Sequence, residues 1–262
     1  MNHYGDLLPG LLETAREAGA AALAVYRTDF GVDYKDDRSP VTEADRRSHE
    51  VIKRALAGLA PDIPVLSEEG RSAPYEERRP WRSFFLVDPL DGTKEFIKRN
   101  GEFTVNIALV EDGGPALGVI YVPVLDLMYY GARGMGAWRS SGGGEPRRIR
   151  CGRGPGPGGL VVAASRSHPS PELEAFLSRF RVRERLSRGS SLKFCMVAEG
   201  SADVYPRLGP TWEWDTAAGH AIVEAAGGRV TDPGGNPLGY NKPTLKHEGF
   251  VAAGAFTLAP PV

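Results

Sequence analysis

The sequence predicts an α+β fold, and three patterns along the chain support this prediction. Apolar residues recur at helical spacing from Leu7 to Tyr26, which predicts an amphipathic helix. Between Phe103 and Trp138, apolar segments separated by turn sequences predict an antiparallel β-meander. From Leu160 onward, a predicted strand is followed by two predicted helices, so the later part of the chain looks α/β.

The composition is that of an ordinary globular protein. The chain has 262 residues, of which 41% are hydrophobic and 25% charged, enough for one large domain or two closely joined halves. Its net charge of -1 predicts no general attraction to nucleic acid or to membranes. The two cysteines lack metal or redox spacing and no signal sequence is evident, so we expect a cytoplasmic location without disulfides. No apolar run approaches the roughly 20 residues of a membrane-spanning helix.

A glycine- and proline-rich stretch over residues 152–159 predicts a boundary between two halves, residues 1–150 and 151–262. Arginines lie beside this stretch, but no aromatic residues are interleaved with them for stacking on bases. We therefore interpret the arginines as part of a solvated loop.

The first half continues with a predicted strand at Phe30 to Lys35 and a helix beginning near Thr42. Asp45 follows Thr42 by three residues, which is the spacing of a capping box. The alternative is that Asp45 accepts a hydrogen bond from a hydroxyl near a metal site. Spacing alone favours the cap.

Two predicted strands end in pairs of acidic residues. The strand at Ile63 to Ser67 is followed by Glu68 and Glu69, and the strand at Ser83 to Val87 is followed by Asp88 and Asp91. If the strands are neighbours, their acidic ends converge at one edge of a sheet. The alternative for Glu68 and Glu69 is a charged surface loop.

The segment from Asp88 to Gly92 is the centre of the functional prediction. Pro89 favours an extended Asp88, and Gly92 permits a tight turn, so the bend directs Asp88, Asp91 and the Leu90 carbonyl into one volume. Two close carboxylates resist joint ionisation unless a hard cation such as magnesium lies between them. An ordinary Asp-Pro and Asp-Gly turn is the alternative.

A helix predicted from Thr93 to Arg99 would direct its free N–H groups toward these aspartates. Metal ligands on one side and amide donors on the other suit a phosphate group.

The second half contains a candidate site for a second anion. Ser165, Ser167 and His168 follow a strand at Leu160 to Ala164, and Gly189, Ser190 and Lys193 begin a helix running to Glu199. The alternatives are a helix cap at Ser190 and a solvated Lys193. Cys195 is expected in the core.

Asp215 precedes a helix rich in small residues. It is expected either to occupy the N-cap or to present its carboxylate to a metal. His220 is expected to face the interior or a loop, and the histidines show no zinc spacing, so oxygen ligation again indicates magnesium.

These motifs together resemble the magnesium-dependent, lithium-sensitive inositol monophosphatase superfamily. The resemblance covers nearly the whole chain through SPVTEAD, LSEE, DPLDGTKEF, SRSH, GSSLKFC and WDTAAGHA. It implies a layered αβαβα sandwich. Lys94 and Glu95 stand where inositol monophosphatases usually carry Thr-Asn, which implies the bisphosphate nucleotidase branch and a nucleotide substrate.

The resemblance also implies roles for individual residues. Thr93, supported by Asp45, would orient and help deprotonate the attacking water, and Glu68 would join them in catalysis. Two or three magnesium ions would be held by Glu68, Asp88, the Leu90 carbonyl, Asp91 and Asp215. The substrate would contact Glu68, Leu90, Asp91, Gly92, Thr93, Ser165, His168, Gly189, Ser190, Lys193 and Asp215.

The implied reaction is hydrolysis of adenosine 3′,5′-bisphosphate to AMP and phosphate, with 3′-phosphoadenylyl sulfate as a second substrate, in the recycling of a by-product of sulfate assimilation. The alternatives are an inositol or fructose phosphate phosphatase and a nucleotide-binding module without turnover. A monomer or weak homodimer is expected, either free in the cytoplasm or attached to the inner face of the membrane.

Overall fold

The computed structural model describes residues 3–35, 40–165 and 171–258. Within these ranges the elements are numbered in chain order. The helices are α1 His3–Tyr26, α2 Glu43–Leu59, α3 Tyr75–Arg78, α4 Thr93–Ile97, α5 Pro171–Leu177, α6 Leu192–Ala198 and α7 Glu213–Ala225. The first strands are β1 Val32–Tyr34, β2 Pro40–Thr42, β3 Val65–Ser67, β4 Ser83–Asp91, β5 Thr104–Glu111, β6 Gly114–Val122, β7 Leu127–Ala132, β8 Gly136–Ser141 and β9 Arg147–Ile149. The later strands are β10 Leu160–Ser165, β11 Val182–Arg188, β12 Val204–Arg207, β13 Thr211–Trp212, β14 Arg229–Thr231, β15 Lys246–His247 and β16 Phe250–Ala253.

Two larger sheets dominate the described residues. The first runs in the order β3-β4-β5-β6-β7-β8-β9, and the second in the order β11-β10-β12-β16-β14. In the first sheet only β3 and β4 are parallel, and the β-meander predicted from the sequence forms its antiparallel part. Small antiparallel pairs join β1 to β2 and β13 to β15.

One face of the first sheet is covered by α1 and α2. Their apolar faces, with Leu11 and Ile52 fully buried, pack on side chains such as Phe85 and Ile107. This burial of the apolar stripe explains the helical spacing of apolar residues read from the sequence.

The opposite face of the first sheet is covered by α6 and α7, and the second sheet packs on the far side of these helices. Phe194 and Ile222 lie in one core with Leu86 of the first sheet and Phe250 of the second. Gly118 permits the close approach of α7, since a Cβ at this position would collide with the backbone carbonyl of Ala218.

The outermost layer is α5. Leu173 and Leu177 pack against the remaining face of the second sheet, beside Val162, Val204 and Val251. The order of layers is therefore helix, sheet, helix, sheet, helix, which confirms the predicted αβαβα sandwich.

Several predicted element boundaries differ from the structure. The strand predicted to end at Val87 continues to Asp91, because β4 keeps its pairing with β5 through an irregularity after Asp88. The helix predicted from Ser190 begins at Leu192, and the helix after Thr93 ends at Ile97. Among the described residues, no helix combines the length and apolar character needed to cross a membrane.

Candidate active site

The site begins where the pairing of β3 with β4 ends. The strands are parallel, with Ser67 opposite Val87, so the next residues, Glu68 and Asp88, lie side by side. The backbone N–H of Glu68 donates to the Val87 carbonyl at 3.1 Å, which fixes this register. The predicted convergence of the two acidic strand ends is confirmed.

The turn after Asp88 brings a second aspartate to the same edge. Asp88 lies opposite Asn106 and Asp91 lies opposite Thr104, with the register shift between them. The Leu90 N–H donates to Asp88 Oδ1 at 3.0 Å, and Gly92 adopts φ 91°. A side chain at Gly92 would be strained in this left-handed conformation, which explains glycine at the turn.

The third part of the site comes from α7, which lies between the two sheets. The predicted N-cap position of Asp215 is wrong, since Trp212 occupies the cap and Asp215 is the third helical residue. Asp215 Oδ2 accepts from the Thr211 hydroxyl at 2.5 Å and from the Trp212 N–H at 3.1 Å. This bonding aligns the carboxylate at the start of the helix.

These elements assemble one cluster of acids. Glu68, Asp88 and Asp215 each offer a carboxylate oxygen, and these oxygens lie within 4.8 Å of one another. The cluster opens into a cavity of about 420 Å³. Predicted site residues that line this cavity are Glu68, Asp88, Leu90, Asp91, Gly92, Thr93, Ser165, Gly189, Ser190, Lys193 and Asp215.

Burial and mutual repulsion disfavour ionisation of the acids. The pKa of Asp88 is held well above its ordinary value by burial and by Glu68, Asp91 and Asp215. Burial and the charge of Asp215 raise the pKa of Asp91 to about 6, and burial raises that of Glu68 to about 7. Burial also raises the pKa of Asp215, against the hydrogen bond from Thr211. Such a cluster binds protons or cations readily.

The donor set fits a hard divalent cation. The ligands on offer are carboxylate oxygens, and oxygen ligation is what magnesium prefers. A cation between Glu68, Asp88 and Asp215 would remove the repulsion that raises their pKa values. The acid cluster could therefore hold such an ion.

Asp45 combines the two arrangements that the sequence left as alternatives. Its Oδ2 accepts from the Thr42 N–H at 2.8 Å and from the Thr42 hydroxyl at 2.7 Å, which completes the capping box of α2. Its Oδ1 accepts from the Thr93 hydroxyl at 3.3 Å. One side chain therefore caps a helix and contacts the rim of the cavity through Thr93.

The loop before α6 differs from both simple interpretations. Lys193 is buried, and its ammonium donates to the carbonyls of Arg188 and Ser190 at 3.2 and 2.5 Å. The solvated alternative for Lys193 is therefore wrong. Ser190 is not the helix cap either, since Ser191 holds that position. His168, predicted to contact the substrate, and Ser167, named with it in the candidate anion site, lie outside the described residues.

Other residues of the cavity had no clear local signal in the sequence. Lys35 donates to Glu68 and Glu69 at 2.8 and 2.5 Å, although 33 positions separate Lys35 from Glu68. Trp212 and Trp214 stack with ring centroids 4.9 Å apart, and the adjacent WEW sequence was the only hint of this pair. The wall also contains Tyr205, Arg207, Thr211 and Phe250.

Two residues that were predicted to have no catalytic role lie where the sequence placed them. Cys195 is buried in the core. His220 is also buried, with Nδ1 3.0 Å from the Tyr240 hydroxyl.

Comparison with known proteins gives one consistent family. The sequence profile of the Inositol monophosphatase family matches residues 6–259. The chain is 52% identical over 237 residues to the 3′(2′),5′-bisphosphate nucleotidase CysQ of Salmonella typhimurium, covering 89% of this chain and 94% of the relative. It is 50% identical to the protein of that name from Escherichia coli K12, with the same coverage.

Solved structures agree with the sequence comparison. CysQ from Bacteroides thetaiotaomicron, described as a bacterial member of the inositol monophosphatase family, superposes with a TM-score of 0.81 at 43% identity, covering 94% of this chain and 96% of that one. An IMPase from Thermotoga maritima gives 0.78 at 27% identity, covering 95% and 92%. The chain belongs to the inositol monophosphatase family.

Proposed function

We propose that this protein is a magnesium-dependent phosphatase that hydrolyses the 3′-phosphate of adenosine 3′,5′-bisphosphate, giving AMP and phosphate. The single observation that carries the proposal is the buried cluster of Glu68, Asp88 and Asp215, whose oxygens lie within 4.8 Å of one another beside Thr93. The relatives named as bisphosphate nucleotidases support the choice of substrate.

In the proposed reaction, two or three magnesium ions would be held by Glu68, Asp88, Asp91, Asp215 and the Leu90 carbonyl. Bound magnesium would neutralise negative charge on the phosphoryl group and on the departing ribose oxygen. The division into residues 1–150 and 151–262 fits this arrangement, since the first part supplies most ligands and the second supplies Asp215. We propose these two halves as functional units.

Two residues of this protein would hold and activate the water molecule that acts as the nucleophile. Thr93 would hold the attacking water, and Asp45 would favour proton removal through its hydrogen bond with the Thr93 hydroxyl. The water would then attack phosphorus opposite the ribose oxygen, which leaves and takes up a proton. Burial raises the pKa of Asp45, so its carboxylate is a stronger base than an exposed aspartate.

The cavity wall supports a nucleotide over a simple sugar phosphate. Trp212 is a partly exposed aromatic residue of the wall, whereas Tyr205 and Phe250 are buried behind it in the core. Aromatic side chains stack on bases, and such contacts contribute about 1–3 kcal/mol per base. Lys193 and the loop from Gly189 to Ser191 would contact the substrate phosphates. The sulfated nucleotide, 3′-phosphoadenylyl sulfate, is proposed as a second substrate, and recycling of a sulfate assimilation by-product as the metabolic role.

The test is phosphate release from adenosine 3′,5′-bisphosphate with and without magnesium. Asp91→Asn should lower kcat/KM by roughly 100-fold or more, because a proposed ligand loses its charge. Asp62→Asn, at an exposed position after α2, is the matched control and should retain activity. A full rate in the Asp91 variant would contradict the mechanism.

A substrate panel separates this proposal from the alternatives. Inositol 1-phosphate and fructose 1,6-bisphosphate should be poorer substrates than the nucleotide. Preference for inositol 1-phosphate would instead favour the inositol monophosphatases that the chain also resembles. Nucleotide binding with no phosphate release at saturating magnesium would indicate a binding module.

A further inference from the structure

Three buried polar side chains lie behind Asp91. Thr104 and Asn106 are on β5, and Ser191 immediately precedes α6. They are between 0% and 2% exposed, so water does not satisfy their polar groups. Buried polar groups of this kind are expected to bond to one another or to neighbouring polar groups.

The hydrogen bonds of these residues form a chain that ends on Asp91. The Ser191 hydroxyl donates to Asn106 Oδ1 at 2.8 Å, and the hydroxyls of Thr104 and Ser191 are 2.8 Å apart. Because the single Ser191 proton is committed to Asn106, Thr104 must donate to Ser191. Asn106 Nδ2 then donates to Asp91 Oδ2 at 3.5 Å, a long contact.

The orientation of the Asn106 amide is set by this series of hydrogen bonds. An ionised carboxylate only accepts hydrogen bonds, so the NH₂ group must face Asp91 and the oxygen must face Ser191. A flipped amide would place the Asn106 oxygen against the carboxylate oxygen of Asp91, which repels it. Ser191 therefore keeps a donor directed at Asp91.

The strand register places these hydrogen-bonded residues beside both Asp88 and Asp91. Thr104 is paired with Asp91 across the sheet, and Asn106 is paired with Asp88. Ser191, in contrast, comes from the later half of the sequence. The chain of bonds is complete only when the loop before α6 packs on the first sheet.

We propose that Thr104, Ser191 and Asn106 are positioning residues that orient Asp91 for a divalent metal ion. The inference rests on the proposed metal site and adds residues to it. Ser191 lines the cavity, but in this proposal none of the three side chains is itself a metal ligand; they act on the metal through Asp91. Residues that bond to metal ligands commonly affect metal affinity by about 10–100-fold.

The test is direct binding of Mn²⁺, a substitute for magnesium, to the full-length protein without substrate, followed by electron paramagnetic resonance. Asn106→Leu removes the donor with little change in size and should weaken binding at least 10-fold. Ser191→Ala, which frees the amide to flip, should weaken it about threefold to tenfold. Thr104→Val should have a smaller effect, and Thr104→Ser, which keeps the hydroxyl, should bind as the unmodified protein does.

The matched control is Thr14→Val, a buried threonine of α1 whose hydroxyl donates to the Gly10 carbonyl. It loses the same hydroxyl far from the acids and should bind Mn²⁺ normally. A purely structural role would lower thermal stability without this graded loss of affinity.

The outcomes separate this inference from the proposed function. Unchanged Mn²⁺ affinity in folded Asn106→Leu would overturn the positioning role, while an unmodified protein that binds no Mn²⁺ would overturn the metal site itself. If Asn106→Leu does not fold, Ser191→Ala decides, and normal affinity in that variant overturns the inference.

Discussion

Helices α2 and α7 begin in the same way, yet their third residues face different surroundings. In both, an aspartate Oδ2 accepts from the backbone N–H of the cap residue and from a threonine hydroxyl, Thr42 for Asp45 and Thr211 for Asp215. Asp45 then meets the neutral hydroxyl of Thr93, whereas Asp215 meets Glu68 and Asp88. The same local motif therefore places the proposed proton acceptor in one location and a proposed metal ligand in the other.

The different surroundings of Asp45 and Asp215 come from residues outside the two helices. A helix start fixes one carboxylate oxygen and leaves the other available. The neighbour of the available oxygen decides its chemistry: two further carboxylates favour a shared cation, and a single hydroxyl favours proton transfer. Substitutions in and around the two helix starts test this contrast.

The largest effect is expected for Asp215→Asn. Loss of one charge from the acid cluster should lower kcat/KM by roughly 1000-fold and weaken Mn²⁺ binding, since magnesium prefers charged oxygen ligands. Steady-state kinetics and metal titration would measure both. If metal affinity stays normal, Asp215 is not a ligand and the contrast with Asp45 disappears.

Asp45→Asn should separate catalysis from metal binding. We expect kcat to fall by roughly 100-fold, the usual scale for loss of a general base, while Mn²⁺ affinity stays within about threefold. The same two measurements apply. A loss of metal affinity as large as that in Asp215→Asn would show that the two aspartates act alike.

Glu68→Gln should stabilise the metal-free protein at high pH. Unfolded Glu68 ionises near its ordinary pKa of 4.5, whereas burial raises the pKa to about 7 in the folded protein, so rising pH through this range destabilises the unmodified fold. The glutamine side chain does not ionise, so the variant is not destabilised in this way. Its free energy of unfolding, relative to that of the unmodified protein, should therefore increase by about 2 kcal/mol between pH 5 and pH 8.

Denaturant unfolding in EDTA would measure this advantage, with Lys35 retaining its ion pair to Glu69 in the variant. Saturating magnesium should reverse the order of stability. An advantage independent of pH would contradict the raised pKa of Glu68.

The smallest effects are expected for the two threonines that bond to the aspartates. Thr42→Val removes an N-cap and should lower the free energy of unfolding by about 1 kcal/mol without changing metal affinity. Thr211→Val should cost about as much stability, because one hydrogen bond is lost, and should also weaken Mn²⁺ binding a few-fold. Equal metal affinity in both variants would count against Thr211 as a support for Asp215.

The sequence predicted the central acids well because their positions follow from local rules. Parallel strands run in the same direction, so the residues that follow Ser67 and Val87, Glu68 and Asp88, are neighbours once the strands pair. The turn at Gly92 needed only its glycine and the preceding proline as signals. Asp45 was harder, because one spacing was consistent with a cap and with a contact to Thr93.

Interactions between distant parts of the chain gave no comparable signal. Lys193 was predicted either to contact an anion or to be solvated, and neither pattern indicated that the fold buries its ammonium against backbone carbonyls. Lys35, the residue after β1, contacts Glu68 through the tertiary fold, although 33 positions separate them. Asn106 and Ser191 are separated by 85 positions, and nothing near either residue indicates the other.

Short-range patterns in the sequence predicted the neighbouring positions of Glu68 and Asp88, the turn at Gly92 and the capping box of α2, because hydrophobic spacing, glycine conformation and capping act over a few residues. Long-range packing determines which aspartate joins the acid cluster and which contacts Thr93. That choice depends on how α7 and α2 pack on opposite faces of the first sheet. The packing is set by the burial of whole faces, which no short stretch of sequence encodes.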